Sequence, residues 1–128
     1  MSNVDIVNEA EQVIKRLRDN SDRGMLTKNQ IRKFLAAFTS VTNKVELERR
    51  CNPEKQEMSN ELSAEVKFLK IKLVYQAGRE KKVRAFVDES YLLAKIDGVG
   101  KSFAKYKELA NYMEALVAYH KFYGGNDQ

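Results

Sequence analysis

The sequence predicts an all-α protein, a single compact antiparallel bundle of about five helices. Three observations predict it. Apolar residues recur at three- and four-residue spacing in each long segment. The 128 residues hold one proline, Pro53, and six glycines that sit mainly in pairs or at expected helix ends. Lys, Glu, Leu and Ala, all good helix formers, are abundant between them. At 43% apolar and 32% charged, a chain of this length makes one domain, residues 1–128, with its own core and a heavily charged surface.

The first helix is expected over residues 3–20, where Ile6, Val7, Ala10, Val13, Ile14 and Leu17 share one face. Residues 20–24, Asn-Ser-Asp-Arg-Gly, read as a turn. The second helix starts at a capping box: the Thr27 hydroxyl can accept from the amide of Gln30, and the Gln30 side chain can reach back. Its stripe is Ile31, Phe34, Leu35, Phe38, Val41 and Val45, and Pro53 ends it. Residues 52–60 are a polar loop.

The third helix runs from about residue 60 to 77 or beyond. Leu62, Val66, Leu69, Leu73 and Ala77 form one apolar flank, and Phe68, Ile71 and Tyr75 a second. Two flanks predict a helix packed between neighbours. Lys72, Gln76 and Arg79 lie in the strip between them, with Lys67, Lys70 and Lys81 opposite. Gly78 either kinks this helix or begins the next. The fourth helix carries Val83, Phe86, Val87, Leu92, Leu93 and Ile96, and residues 97–100, Asp-Gly-Val-Gly, are read as a loop. Ser102 can cap the fifth helix, whose stripe is Tyr106, Leu109, Met113, Leu116, Val117 and His120, and Gly124-Gly125 closes it ahead of a short polar tail.

Several function classes find no support. The N-terminal residues show no basic segment followed by an apolar core, and no run approaches the ~20 apolar residues of a membrane span, so a cytoplasmic protein without membrane attachment is expected. Cys51 is the sole cysteine, which rules out an intramolecular disulfide, and His120 is the sole histidine. They are the one thiol–imidazole pair on offer, and an incidental thiol with a packed imidazole is the plainer account. There is no cluster of zinc ligands and no glycine-rich phosphate loop, and no carboxylate pair stands out. The expectation is a protein that is not an enzyme and carries no cofactor or metal.

The charge is more informative. Residues 67–84 hold Lys67, Lys70, Lys72, Arg79, Lys81, Lys82 and Arg84 against Glu80 alone, a net +6. The whole chain is +5, so the remainder is −1. Basicity gathered in one window suits a polyanion, because Lys and Arg release counterions when they neutralise phosphates. On the second helix Lys28, Arg32, Thr39, Asn43 and Arg50 form a polar stripe beside the apolar one. On the third, Lys72, Gln76 and Arg79 do the same with Tyr75 and Phe68 close by, and an aromatic beside arginine can stack a base. Each of these residues has a plainer role, the charges on a solvated helix face and the aromatics in the core.

Three segments resemble a known family. Residues 103–125, Phe-Ala-Lys-Tyr-Lys-Glu-Leu-Ala-Asn-Tyr-Met-Glu-Ala-Leu-Val-Ala-Tyr-His-Lys-Phe-Tyr-Gly-Gly, are similar to the final helix of the small-subunit family of type III-A CRISPR effector (Csm) complexes. Residues 26–34, Leu-Thr-Lys-Asn-Gln-Ile-Arg-Lys-Phe, and 69–79, Leu-Lys-Ile-Lys-Leu-Val-Tyr-Gln-Ala-Gly-Arg, agree with it in order, while residues 1–25 carry no resemblance. The resemblance implies a non-catalytic helical subunit present in several copies. It would pack against the backbone and large subunits of the complex, and its basic surface would track the guide RNA and the target RNA paired to it. Base pairing would then supply sequence specificity and the protein the backbone contacts. Lys28 and Arg32 fall in one matching segment and Lys72 and Arg79 in another. Lys82 and Arg84 follow and join the expected RNA-binding set on charge alone. The C-terminal match is assigned to packing. The competing expectations are a helical protein–protein scaffold without RNA contact and, less well supported, an enzyme built on carboxylates.

Overall fold

A computed structural model describes residues 3–20 and 25–124. The turn expected at 20–24 lies, apart from Asn20, outside the described residues, as does the tail beyond Gly124. Among the described residues there are six helices and no strand: α1 (Asn3–Asn20), α2 (Lys28–Cys51), α3 (Asn60–Arg79), α4 (Lys81–Ser90), α5 (Leu92–Val99) and α6 (Phe103–Phe122). The all-α expectation holds.

Local chemistry sets the helix starts. Thr27 Oγ1 accepts from the Gln30 amide at 3.2 Å, and Gln30 Oε1 accepts from the Thr27 amide at 2.7 Å, which completes the expected capping box. Ser59 caps α3 by accepting from the Leu62 amide, and it is itself fixed by two bonds to the Glu48 carboxylate, at 2.7 and 2.8 Å. Ser102 caps α6 through the Lys105 amide. The loop before α3 is held on its other side as well. The Met58 amide donates to the Lys101 carbonyl at 2.7 Å, the Phe103 amide donates to the Gln56 carbonyl at 3.2 Å, and the Met58 side chain is buried.

Two boundaries differ from expectation. The expected fourth helix is two helices, because Tyr91 adopts the left-handed conformation (φ 56°, ψ 29°) and turns the chain between α4 and α5. The loop expected at 97–100 is mostly helix: α5 continues through Gly98 to the buried Val99 and stops at Gly100, whose φ of 54° suits glycine. Gly78 does not begin the next helix: α3 passes through it to Arg79, and α4 starts at Lys81.

The apolar stripes converge on one core, with Ile14, Phe34, Phe86, Leu92, Tyr106 and Leu116 among its members. Helix α2 runs antiparallel to two neighbours. On one side it meets α6, where Thr42 and Tyr106 share a 2.7 Å hydroxyl bond and His120 Nε2 lies 2.7 Å from the Leu26 carbonyl. On the other it meets α3, where Lys44 pairs with Glu65 and Glu48 holds Ser59. Helix α5 returns along α3, with Lys70 bonded to Asp97 and the Ser63 hydroxyl donating to the Gly100 carbonyl. Helix α1 lies beside α6 and runs in the same direction, so Ile6 faces Leu109 while Glu11 accepts from the Tyr123 hydroxyl at 2.7 Å. It also reaches α4 through the Arg16–Glu89 pair.

This arrangement leaves one side of α3 uncovered. Leu62, Val66, Leu69 and Leu73 are buried as expected. Phe68 and Ile71 are each 56% exposed and Tyr75 is 62% exposed, so the second flank is not packed against a neighbour. The reason is geometric: α2 takes one edge of α3, α4 and α5 take the other, and none of the described helices lies over the outer face. No helix among the described residues is long and apolar enough to cross a membrane.

Candidate nucleic-acid interface

Where α2 and α3 meet they form an open groove of about 280 Å³, lined by Lys33, Phe34 and Ala37 on one wall and Ile71, Lys72, Tyr75 and Gln76 on the other. A helix turns about 100° per residue, so Lys33 and Ala37, one turn apart, face the same way, as do Lys72 and Gln76. Arg79 continues this line one turn beyond Tyr75, and its guanidinium sits 5.5 Å from the Tyr75 ring centre. That distance is in the cation–π range. Lys33, Lys72 and Arg79 are exposed. Arg79 also closes the last turn of α3, where a cation complements the negative end of the helix dipole.

Ion pairs engage two of the remaining cations of the basic window, while Lys67, Lys81 and Lys82 make none among the described residues. Lys70 is bonded to Asp97 and Arg84 to Asp88. Among the described residues, Arg32, Lys33, Lys72 and Arg79 make no ion pair. The Arg84–Asp88 pair is exposed on both sides and contributes no more than ~0.5 kcal/mol, so it is easily exchanged for another anion.

The six residues expected from the sequence do not form one cluster. Lys72 and Arg79 lie together on α3. Arg32 lies on the opposite flank of α2 from Lys33, in line with Leu35, Thr39 and Thr42, which line a shallow groove against α6. Lys28 is exposed at the first turn of α2. Lys82 and Arg84 leave α4 on opposite flanks, Lys82 in register with the α1-facing Glu89. Lys33 is outside the expected set, because the sequence does not reveal which flank of α2 meets α3. Phe68 and Tyr75, which the sequence leaves open between a core position and base stacking, lie outside the core.

The geometry also separates the thiol from the imidazole. His120 is buried against Leu26, just before α2 begins, while Cys51 is exposed at the last residue of the same 24-residue helix. A helix of that length spans roughly 36 Å, far beyond any proton-transfer distance. Among the described residues no group of three or more His, Cys, Asp or Glu side chains is placed to hold a metal ion.

The sequence profile of Csm2, type III-A, matches residues 2–126. The chain belongs to the Csm2 family. Its curated relatives agree over nearly the full length. A protein of Streptococcus thermophilus named CRISPR system Cms protein Csm2 is 36% identical over 94% of this chain and 93% of its own. Proteins of the same name from Enterococcus italicus and Mycobacterium tuberculosis are each 33% identical, over 94% and 97% of this chain and 91% and 95% of theirs. The resemblance read from the three motifs therefore extends through α1, where the sequence alone offered no recognisable match. The α2–α3 groove belongs to a Csm2 protein, and its chemistry is the natural starting point for that protein's role.

Proposed function

We propose that this protein is a non-catalytic, RNA-binding small subunit of a type III-A CRISPR ribonucleoprotein. The observation that carries the reading is the groove between α2 and α3, where Lys33, Lys72 and Arg79 stand exposed and without ion-pair partners among the described residues, around the exposed Tyr75. Unpaired cations on rigid helices neutralise phosphates without first giving up an internal partner. Lys28 and Arg32 extend the basic surface around α2, and Lys82 and Arg84 extend it onto α4. In this reading RNA lies along the α2–α3 face and is contacted through its phosphates, so the protein is indifferent to sequence. Guide and target RNA supply specificity by pairing with each other. Further copies of the chain and the backbone and large subunits of the complex meet its other faces, and RNA cleavage belongs to those other subunits.

The test has two parts. Expression with the native partners should yield a complex that contains this chain and a processed guide RNA. The purified protein alone should bind RNA at micromolar or weaker affinity, and binding should fall steeply as salt rises. Salt-independent RNA affinity, or a guide-loaded complex that forms equally well without this chain, would count against the proposal. A second reading, a helical scaffold that touches only protein, draws on the exposed row Ala64, Phe68, Ile71 and Tyr75, whose alternating four- and three-residue spacing suits a helical partner.

A further inference from the structure

We infer that the outer face of α3 receives unpaired nucleotides, whose bases stack on Tyr75 and Phe68 while Lys33, Lys72 and Arg79 hold the flanking phosphates. The inference rests on the RNA-binding reading above and specifies which form of RNA this face takes. It begins from the exposed row. Phe68, Ile71 and Tyr75 are each more than half exposed. They succeed one another at about one turn along a single helix face, a contiguous apolar strip of the kind that marks a binding surface. Tyr75 and Phe68 are seven residues apart, two turns or roughly 10 Å along the axis. Arg79 lies over the Tyr75 ring and helps to fix its plane, and the ring stays 62% exposed. An aromatic held in place among cations, with its face still in solvent, is the arrangement by which proteins grip single strands.

A fully paired duplex does not fit this strip. Its bases are stacked on one another, and it offers phosphates, riboses and groove edges to a protein. Laid on α3, it can offer phosphates to Lys33, Lys72 and Arg79, but it leaves Phe68, Ile71 and Tyr75 without an apolar partner. A strand with splayed bases offers apolar ring faces to the strip and phosphates to the lysines beside it.

The experiment measures binding of the full-length protein to a single-stranded oligoribonucleotide and to a fully paired duplex of equal length, across a salt series. Three variants are compared: Phe68→Leu with Tyr75→Leu, Tyr75→Phe, and Lys72→Gln with Arg79→Gln. The single strand should bind more tightly than the duplex. The double leucine variant should weaken single-strand binding by tenfold or more, on the order expected for lost base stacking, and leave the dependence on salt unchanged. Tyr75→Phe keeps the ring and should retain affinity, which also guards against a folding defect. The glutamine variant should instead flatten the salt dependence. Equal binding of duplex and single strand would overturn the inference and leave RNA binding standing. So would unchanged RNA affinity in the leucine variant together with loss of assembly with protein subunits, which would make the strip a seam for a helical partner. Failure of the unaltered protein to bind any RNA would overturn both readings.

Discussion

At the scale of single residues, buried polar groups carry much of the specificity of this core. His120 is 3% exposed, and its ring nitrogen meets the Leu26 carbonyl, which ties the end of α6 to the start of α2. His120→Ala should cost about 2–4 kcal/mol, because it leaves both a void and an unpaired carbonyl in the core. A lower midpoint in urea, with unchanged helical content in water, would be the sign. Two tyrosines extend the argument to pH. Burial pushes the Tyr112 hydroxyl far above the usual tyrosine range, and the charge and hydrogen bonding of Glu9 add to the shift. Burial also raises Tyr106, with Glu46 adding and the bond to Thr42 opposing. Both groups therefore bind protons more tightly folded than unfolded. The stability they contribute is fully present below about pH 10, where unfolded tyrosine ionises, and is lost as pH rises through the folded values. Tyr112→Phe should lose the bond to the Ser90 carbonyl, about 1 kcal/mol at neutral pH, yet decline less steeply than the unaltered protein as pH rises above about 10. Parallel declines in the two proteins would show that Tyr112 ionises in the fold as it does in water.

At the scale of helices, the ends decide more than the middles. Tyr91 joins α4 to α5 in the left-handed conformation, which costs an ordinary residue about 1 kcal/mol and glycine almost nothing. Its side chain is 65% exposed, so little burial is lost on removing it. Tyr91→Gly should therefore raise the thermal midpoint by a few degrees, the opposite of most substitutions, and a fall would mean that the ring has a packing role. Thr27→Ala should lower stability by about 1 kcal/mol through loss of the α2 cap, also read from the thermal midpoint. These two ends show what was legible. Thr27-Lys-Asn-Gln announces a capping box because both partners lie within four residues. Nothing announces Tyr91, because neither glycine nor proline stands there, and only the packing of α4 and α5 against α3 forces the turn. Gly98 misled in the opposite sense: a glycine that reads as a breaker sits inside α5, held by the burial of Ile96 and Val99 on either side. The apolar flank of Phe68, Ile71 and Tyr75 was legible as a stripe but not as a surface, since periodicity gives a direction on a helix and not the number of neighbours around it. The candidate site is legible only in part: the basic window and the matching segment both point to Lys72 and Arg79, whereas nothing in the sequence shows that Lys33 and Arg32, adjacent in the chain, take opposite flanks of α2.

At the scale of the whole molecule, the question is whether RNA responds to total charge or to its placement, and the fold provides a matched comparison. Two triple variants each replace three cations by glutamate: Lys33, Lys72 and Arg79 in one, and Lys15, Arg16 and Lys55 in the other. Each takes the net charge from +5 to −1, since every replacement subtracts two. Long-range attraction to a polyanion is then reduced equally, and any difference comes from local contacts. The first three stand on α2 and α3, whose buried stripes hold the helices rigid, and none has an ion-pair partner among the described residues. The second three are placed differently. Lys15 pairs with Glu11 and Arg16 with Glu89, and Lys55 lies in the loop between α2 and α3. A cation engaged by a carboxylate already has its charge partly balanced, and one on a loop loses more freedom when it binds. The α2–α3 triple should therefore lose most of its RNA affinity and its incorporation into a guide-loaded complex, and its salt dependence should flatten by about two units in the log–log slope, roughly 0.7 for each phosphate given up by a single strand. The α1 and loop triple should keep most of its salt dependence. It should also be slightly the less stable of the two, because the Arg16–Glu89 contact between α1 and α4 becomes a repulsion. Circular dichroism on both establishes that the helices persist before affinities are compared at fixed salt. Equal losses of affinity and slope would mean that RNA senses only net charge, and the α2–α3 groove would have no privileged place in binding.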